Sequence, residues 1–66
     1  MINYKLEVDI KTKSENNTKY VGLFETMEYI QMNSKKITKE LKKKYGKGKY
    51  QLRAINVNTK EEILID

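Results

Sequence analysis

Residues 26–46, TMEYIQMNSKKITKELKKKYG, decide the fold of this 66-residue chain, because side chains suited to a core recur in them at helical spacing. At 100° per residue these side chains fall within one stripe of a helix. Thr26 is a favourable N-cap, Gly46 is favourable just past a helix end, and the lysines at 42–44 suit the negative end of the helix dipole. The stripe consists of Met27, Ile30, Ser34, Ile37, Leu41 and Tyr45.

These signals together predict one helix over about residues 27–45. The weak point of this prediction is Asn33-Ser34, because both residues are poor helix formers. A shorter helix that begins after an extended segment at this point is the alternative.

Upstream of the helix, residues 2–10 alternate between apolar and polar side chains, which is the period of a half-buried strand. A polar run at 13–18 is rich in turn formers, and strand-type residues follow at 20–24. This part of the chain therefore predicts a β-hairpin with a loose loop. Gly22, inside the second strand, predicts either a weak point in that strand or a β-bulge.

Downstream of the helix, residues 49–57 predict a strand, 58–60 a turn and 61–65 a closing strand. Alternation in the first of these strands is imperfect, so the strand either contains a bulge or has both faces partly covered. The order β-β-α-β-β predicts an α+β fold, a small antiparallel sheet with one helix packed on one face. The length predicts a single small domain, residues 1–66, with a marginal core.

Positive charge is concentrated in residues 35–49, which hold eight lysines and one acid, Glu40. This segment carries +7, whereas the whole chain carries only +5. The abundance of Lys, Ile, Asn and Tyr is typical of an A/T-rich genome, so part of the excess charge is compositional. Composition does not explain its clustering, however, and a surface this basic favours an anionic partner, either nucleic acid or an acidic protein or lipid surface.

The predicted helix projects five of these lysines on the side opposite its apolar stripe. We call this surface the lysine ridge: Lys35, Lys36, Lys39, Lys42 and Lys43. Lys47 and Lys49 are predicted to extend the ridge through a turn that contains two glycines. These seven lysines are the predicted nucleic-acid-binding residues, which would contact phosphates, of DNA or RNA, without reading bases. A solvated helix face with no partner is the alternative interpretation.

The uncovered face of the predicted sheet carries charges of both signs, which argues against a phosphate platform. Its predicted members are Lys5, Glu7, Asp9, Lys11, Gln51 and Arg53. Arg53, the single arginine, is expected to pair with Glu7 or Asp9 across strands. Tyr20 and Tyr50 are expected to pack at the edge of the core with their hydroxyls in water, instead of stacking on RNA bases.

Three apolar residues outside the predicted core are candidates for a protein interface. Tyr29 and Met32 lie off the helical stripe, and Leu64 lies in a last strand that is apolar on both sides. They motivate a second hypothesis, a protein-interaction module that forms a homodimer or acts as a phage-type modulator of a host protein by binding its acidic surface. A single exposed leucine is also ordinary.

Catalytic chemistry has few candidate residues in this chain, because it contains neither histidine nor cysteine. Ser14 and Ser34 lack an obvious base, and Glu61 and Glu62 point to opposite faces of a strand. We therefore expect no enzyme activity, no catalytic residue, no metal site and no cofactor. No apolar stretch approaches the roughly 20 residues that span a bilayer, so a cytoplasmic location is the expectation.

The segment YVGLFET at 20–26 resembles the strand-to-helix junction of AP2-type DNA-binding domains and of the arm-binding domains of some phage integrases. Those domains place three strands before the helix, with base-reading arginines on the sheet. This chain has two predicted strands there and no arginine among them, so the resemblance implies no binding residue and no family membership. The small size and A/T-rich composition are typical of accessory proteins of phages and plasmids of low-GC bacteria.

Overall fold

A computed structural model describes residues 1–65 of the chain. Its elements are β1 (Tyr4–Thr12), β2 (Asn16–Phe24), α1 (Met27–Tyr45), β3 (Gly48–Asn56) and β4 (Glu62–Ile65). The strands form one antiparallel sheet in the order β2-β1-β3-β4, and α1 packs on one of its faces, so the predicted α+β fold class is confirmed. Among residues 1–65, no helix has the length and apolar character needed to cross a bilayer.

The single long helix is confirmed, and both of its ends have the predicted caps. The Thr26 side chain accepts a hydrogen bond from the backbone N–H of Tyr29 at 3.1 Å, as N-cap residues do. At the other end, Gly46 adopts a φ of 95°, a backbone conformation that favours glycine, and its N–H donates to the carbonyl of Lys42. The helix therefore ends where the chain turns back toward the sheet.

The shorter helix is ruled out, because Asn33 and Ser34 are both accommodated inside α1. The Asn33 amide donates to the carbonyl of Tyr29 at 2.8 Å, and the Ser34 hydroxyl donates to the carbonyl of Gln31 at 3.0 Å. These bonds satisfy polar groups that burial would otherwise penalise. Ser34 can therefore be buried in α1 without an unpaired hydroxyl.

The core lies between α1 and one face of the sheet and is centred on β1. Alternate residues of β1 point toward the helix, as the strict alternation of residues 2–10 predicts. Burying one Val, Leu or Ile side chain contributes about 1.5–3 kcal/mol. The buried apolar residues are Leu6, Val8, Ile10, Ile30, Leu52, Ala54 and Ile65. With so few of them, the stability of the fold is sensitive to each one.

A β-bulge in β2 changes which of its residues face the helix. The register with β1 shifts between Leu6, which pairs with Gly22, and Glu7, which pairs with Tyr20, so Val21 is the extra residue. Of the two alternatives that Gly22 predicted, a weak point or a bulge, the structure has a bulge, at the neighbouring residue Val21. Because cross-strand partners share a face, Tyr20 lies on the side of the sheet away from α1, which we call the open face, and is 61% exposed. The expectation that Tyr20 packs at the core edge is wrong, because the bulge reverses the alternation.

The outer half of the sheet is formed by β3 and the shorter β4. β3 keeps an unbroken register with β1 along its whole length, so its imperfect alternation is not caused by a bulge. Instead both faces are partly covered: Tyr50 packs against the core as predicted, and Ile55 is half-buried on the open face. β4 pairs only with Leu52–Ile55, so among residues 1–65 no strand pairs with Gly48–Gln51 on its outer side.

Candidate nucleic-acid interface

The lysine ridge forms one continuous surface on the back of α1. All five of its lysines are exposed, and at 100° per residue they occupy an arc of roughly 120° of the helix circumference. Lys35, Lys39 and Lys43 succeed one another at four-residue spacing, at which like charges destabilise a helix by a few tenths of a kcal/mol per pair. A polyanion bound along the ridge would remove this repulsion.

No carboxylate neutralises the ridge within residues 1–65. The side-chain ion pairs there use Lys5, Lys19 and Arg53 as their cations, and none involves a ridge lysine. Glu40 lies on the same helix but forms no ion pair with the lysines around it. Within residues 1–65, the ridge ammonium groups therefore form no ion pair that an external anion would have to displace.

Arg53 is in the opposite situation, because it is held by three carboxylates on the open face. Its guanidinium is paired with Glu62, with Asp9 at 3.1 Å and with Glu7 at 3.5 Å. The hydrogen bond to Glu62 raises the pKa of Arg53, and the charges of Asp9 and Glu7 raise it further against opposing desolvation. The pairing expected from the sequence is present, so the single arginine of the chain is engaged within the protein.

The other lysines of residues 35–49 do not all join the ridge. The ammonium group of Lys44 lies over the ring of Tyr45, 5.4 Å from its centroid, on the flank of the helix. Lys47 is exposed in the connection between α1 and β3. Lys49 pairs with Lys11 across β3 and β1, and this position faces the open side of the sheet. The structure therefore separates Lys49 from the ridge.

A shallow groove of about 420 Å³ runs between α1 and the outer side of β3, and we call it the α1–β3 groove. Its helix wall includes Lys35, Lys39 and Lys42, which belong to the ridge, and its sheet side includes Tyr50, Leu52 and Ile65. The sequence analysis missed this groove. No local sequence signal predicts it, because its two walls come from segments far apart in the chain.

The three residues proposed for a protein interface lie on different surfaces. Tyr29 packs beside the ring of Phe24 and lines a second groove, of about 440 Å³, with Ile2 and Leu23. Met32 is 84% exposed and lies on the same helix arc as the ridge. Leu64 pairs with Arg53 and projects from the open face. The structure thus joins Tyr29 to a local apolar cluster but does not join it to Leu64.

Comparison of the chain with protein-family models, curated proteins and solved structures gave no match. Function is therefore inferred from the geometry and charge of these surfaces.

Proposed function

We propose that this chain is a small, non-catalytic nucleic-acid-binding protein whose lysine ridge contacts phosphates. The observation that carries the proposal is the grouping of five exposed lysines on one helix arc with no described carboxylate in an ion pair with any of them. Repeated cations at short spacing match the repeated charges of a phosphate backbone. Lysine is a point charge on a flexible stem and tolerates varied phosphate positions.

The ridge favours binding without sequence preference. Sequence is read by side chains that form paired hydrogen bonds to base edges, chiefly arginine, asparagine and glutamine. Arg53 is held by its carboxylates, and the amide of Asn33 donates within α1. The ridge itself therefore offers charge and no fixed pattern of donors and acceptors.

The test is a salt titration of binding to single- and double-stranded oligonucleotides, comparing two variants of equal charge. K39E/K43E reverses two ridge lysines, and K13E/K60E reverses two exposed lysines in the hairpin turns; each lowers the formal charge from +5 to +1. We expect K39E/K43E to weaken binding to all sequences alike and to reduce the salt slope on duplex DNA by about 2. K13E/K60E should keep most of the binding affinity and most of the salt slope.

Two results would count against this function. One is no binding of any nucleic acid by the unmodified chain at low salt. The other is equal weakening by both double variants, which would show that net charge acts without a defined surface.

A second candidate function, self-association, is favoured by the apolar cluster of Ile2, Leu23, Phe24 and Tyr29. The groove that these residues line contains no lysine and one carboxylate, Glu25. A second copy of this basic chain can therefore meet the first at this cluster without bringing their ammonium groups together, whereas contact through the ridge would be repulsive. An isologous contact of this kind would form a two-fold dimer.

A further inference from the structure

The α1–β3 groove lies beside the part of β3 that has no described partner strand on its outer side. β4 pairs with β3 only as far as Leu52, so Gly48–Gln51 forms a sheet edge with an unpaired outer side within residues 1–65. The C-terminal half of α1 lies above this edge, and its side chains form the opposite wall. An open strand edge beside a cationic wall combines backbone donors and acceptors with positive charge.

The polar groups inside the groove divide into engaged hydroxyls and ammonium groups that form no ion pair within residues 1–65. The Ser34 hydroxyl donates to the carbonyl of Gln31, and the Thr38 hydroxyl donates to the carbonyl of Ser34 at 2.9 Å. The Tyr50 hydroxyl donates to the carbonyl of Gly46. The wall therefore offers cations, while the sheet side offers the half-buried ring of Tyr50 beside the buried side chains of Leu52 and Ile65. An unpaired nucleotide has the matching chemistry, because its phosphate is an anion and the face of its base is flat and can stack on an aromatic ring.

We propose that the α1–β3 groove binds single-stranded nucleic acid, with phosphates on Lys35, Lys39 and Lys42 and a base against the half-buried ring of Tyr50. The inference rests on the proposed function and narrows its ligand class. Positively charged grooves with a stacking ring are the common mode of single-strand binding. The bases of a duplex are paired and stacked inside it and do not reach a recessed surface. A duplex therefore contacts only the lysines at the rim.

The test fills the groove without changing charge. Thr38→Phe places a ring in the groove and removes one bond from a side chain to a helix carbonyl. Its matched control is Asn33→Phe, which also removes a hydrogen bond from a side chain to a helix carbonyl, that of Tyr29, at 2.8 Å. Its ring would fill a different groove, on the other flank of α1. The probes are an oligonucleotide of about ten nucleotides, its duplex, an abasic single strand of equal length and poly-glutamate of equal charge.

We expect the unmodified chain to prefer the single strand about tenfold over both the duplex and the abasic strand. T38F should bind the single strand only as well as the duplex, and N33F should behave as the unmodified chain. Circular dichroism establishes that each variant is folded. The abasic comparison needs no variant, so it tests the proposal even if T38F does not fold.

Three results would overturn the inference. The first is equal binding of the abasic and normal strands. The second is a folded T38F that keeps the single-strand preference. The third is poly-glutamate binding as tight as that of the single strand and lost in T38F, which would assign the groove to acidic extended peptides. If K39E/K43E weakens duplex binding and T38F does not change the single-strand preference, this inference fails and the proposed function stands. No binding to any nucleic acid removes both.

Discussion

Arg53 on β3 donates a hydrogen bond to Asp9 on β1, with 3.1 Å between Nη2 and Oδ1. The same guanidinium is paired with Glu62 on β4 and with Glu7 on β1, so it links three strands on the open face. The single arginine of the chain thus holds the sheet together, while the ridge lysines have no described acidic partner. This division of the cations gives Arg53 a structural role on the open face and leaves the ridge lysines for the binding role that we propose for α1.

Replacing Arg53 should destabilise the sheet, because three carboxylates would remain near one another without their cation. We expect R53M to lower the free energy of unfolding by about 1–2 kcal/mol, a value limited by partial exposure of the pairs. The free energy of unfolding of R53K should fall between those of R53M and the unmodified chain, since lysine keeps the charge but lacks the forked guanidinium. Urea unfolding gives the measurement, and K13M, at an exposed turn lysine that forms no ion pair within residues 1–65, is the control.

The contribution of Arg53 should not vary with pH near neutrality. Its pKa in the folded chain is raised above the ordinary value, so the stabilisation is complete below that ordinary value and is lost only as the pH rises through the raised pKa. The difference between the unmodified chain and R53M should therefore be the same at pH 7 and pH 8. If the stability difference between the unmodified chain and R53M disappears between pH 7 and pH 8, it does not come from the charge of Arg53.

Gly48 is required where β3 begins, because the strand passes close to the end of β1. A Cβ atom at Gly48 would overlap the carbonyl oxygen of Lys11 and would lie 2.7 Å from Cγ2 of Thr12. We expect G48A to cost about 2 kcal/mol of stability, since the backbone must move. G22A is the matched control, because its Cβ would lie 3.4 Å from the Phe24 ring. Equal thermal stability of both variants would contradict this prediction.

Self-association through the apolar cluster should depend on Leu23 and not on Leu64. These two leucines have similar exposure, 52% and 64%, but only Leu23 lines the groove with Ile2 and Tyr29. Light scattering across a concentration series should show a dimer for the unmodified chain and for L64K, and a monomer for L23K. If the unmodified chain is a monomer at every concentration, or if only L64K loses the dimer, this interface is excluded.

Much of the fold could be predicted because its signals are local. The bounds of α1 follow from the Thr26 cap, the apolar stripe and Gly46, all within one segment. The alternation of residues 2–10 predicted which side chains of β1 are buried. The lysine ridge was predictable for the same reason, since the period of a helix determines which residues share a face.

The positions of Tyr20, Lys49 and the α1–β3 groove could not be predicted in this way. Tyr20 faces the open side because a bulge at Val21 shifts its register against β1. Lys49 faces the same side because the chain turn after α1 sets its pairing with Lys11. A one-residue change in register moves a side chain to the other face, and local sequence does not specify that register.

By itself, the sequence determined the element types, the side of α1 that is buried and the concentration of charge on its other side, because these depend on neighbours three or four residues apart. Only the tertiary structure decided which lysines lie together and what lies beside them. Strand register and the packing of α1 on the sheet depend on partners far apart in the chain, and they place Lys35, Lys39 and Lys42 in one groove with Tyr50 of β3.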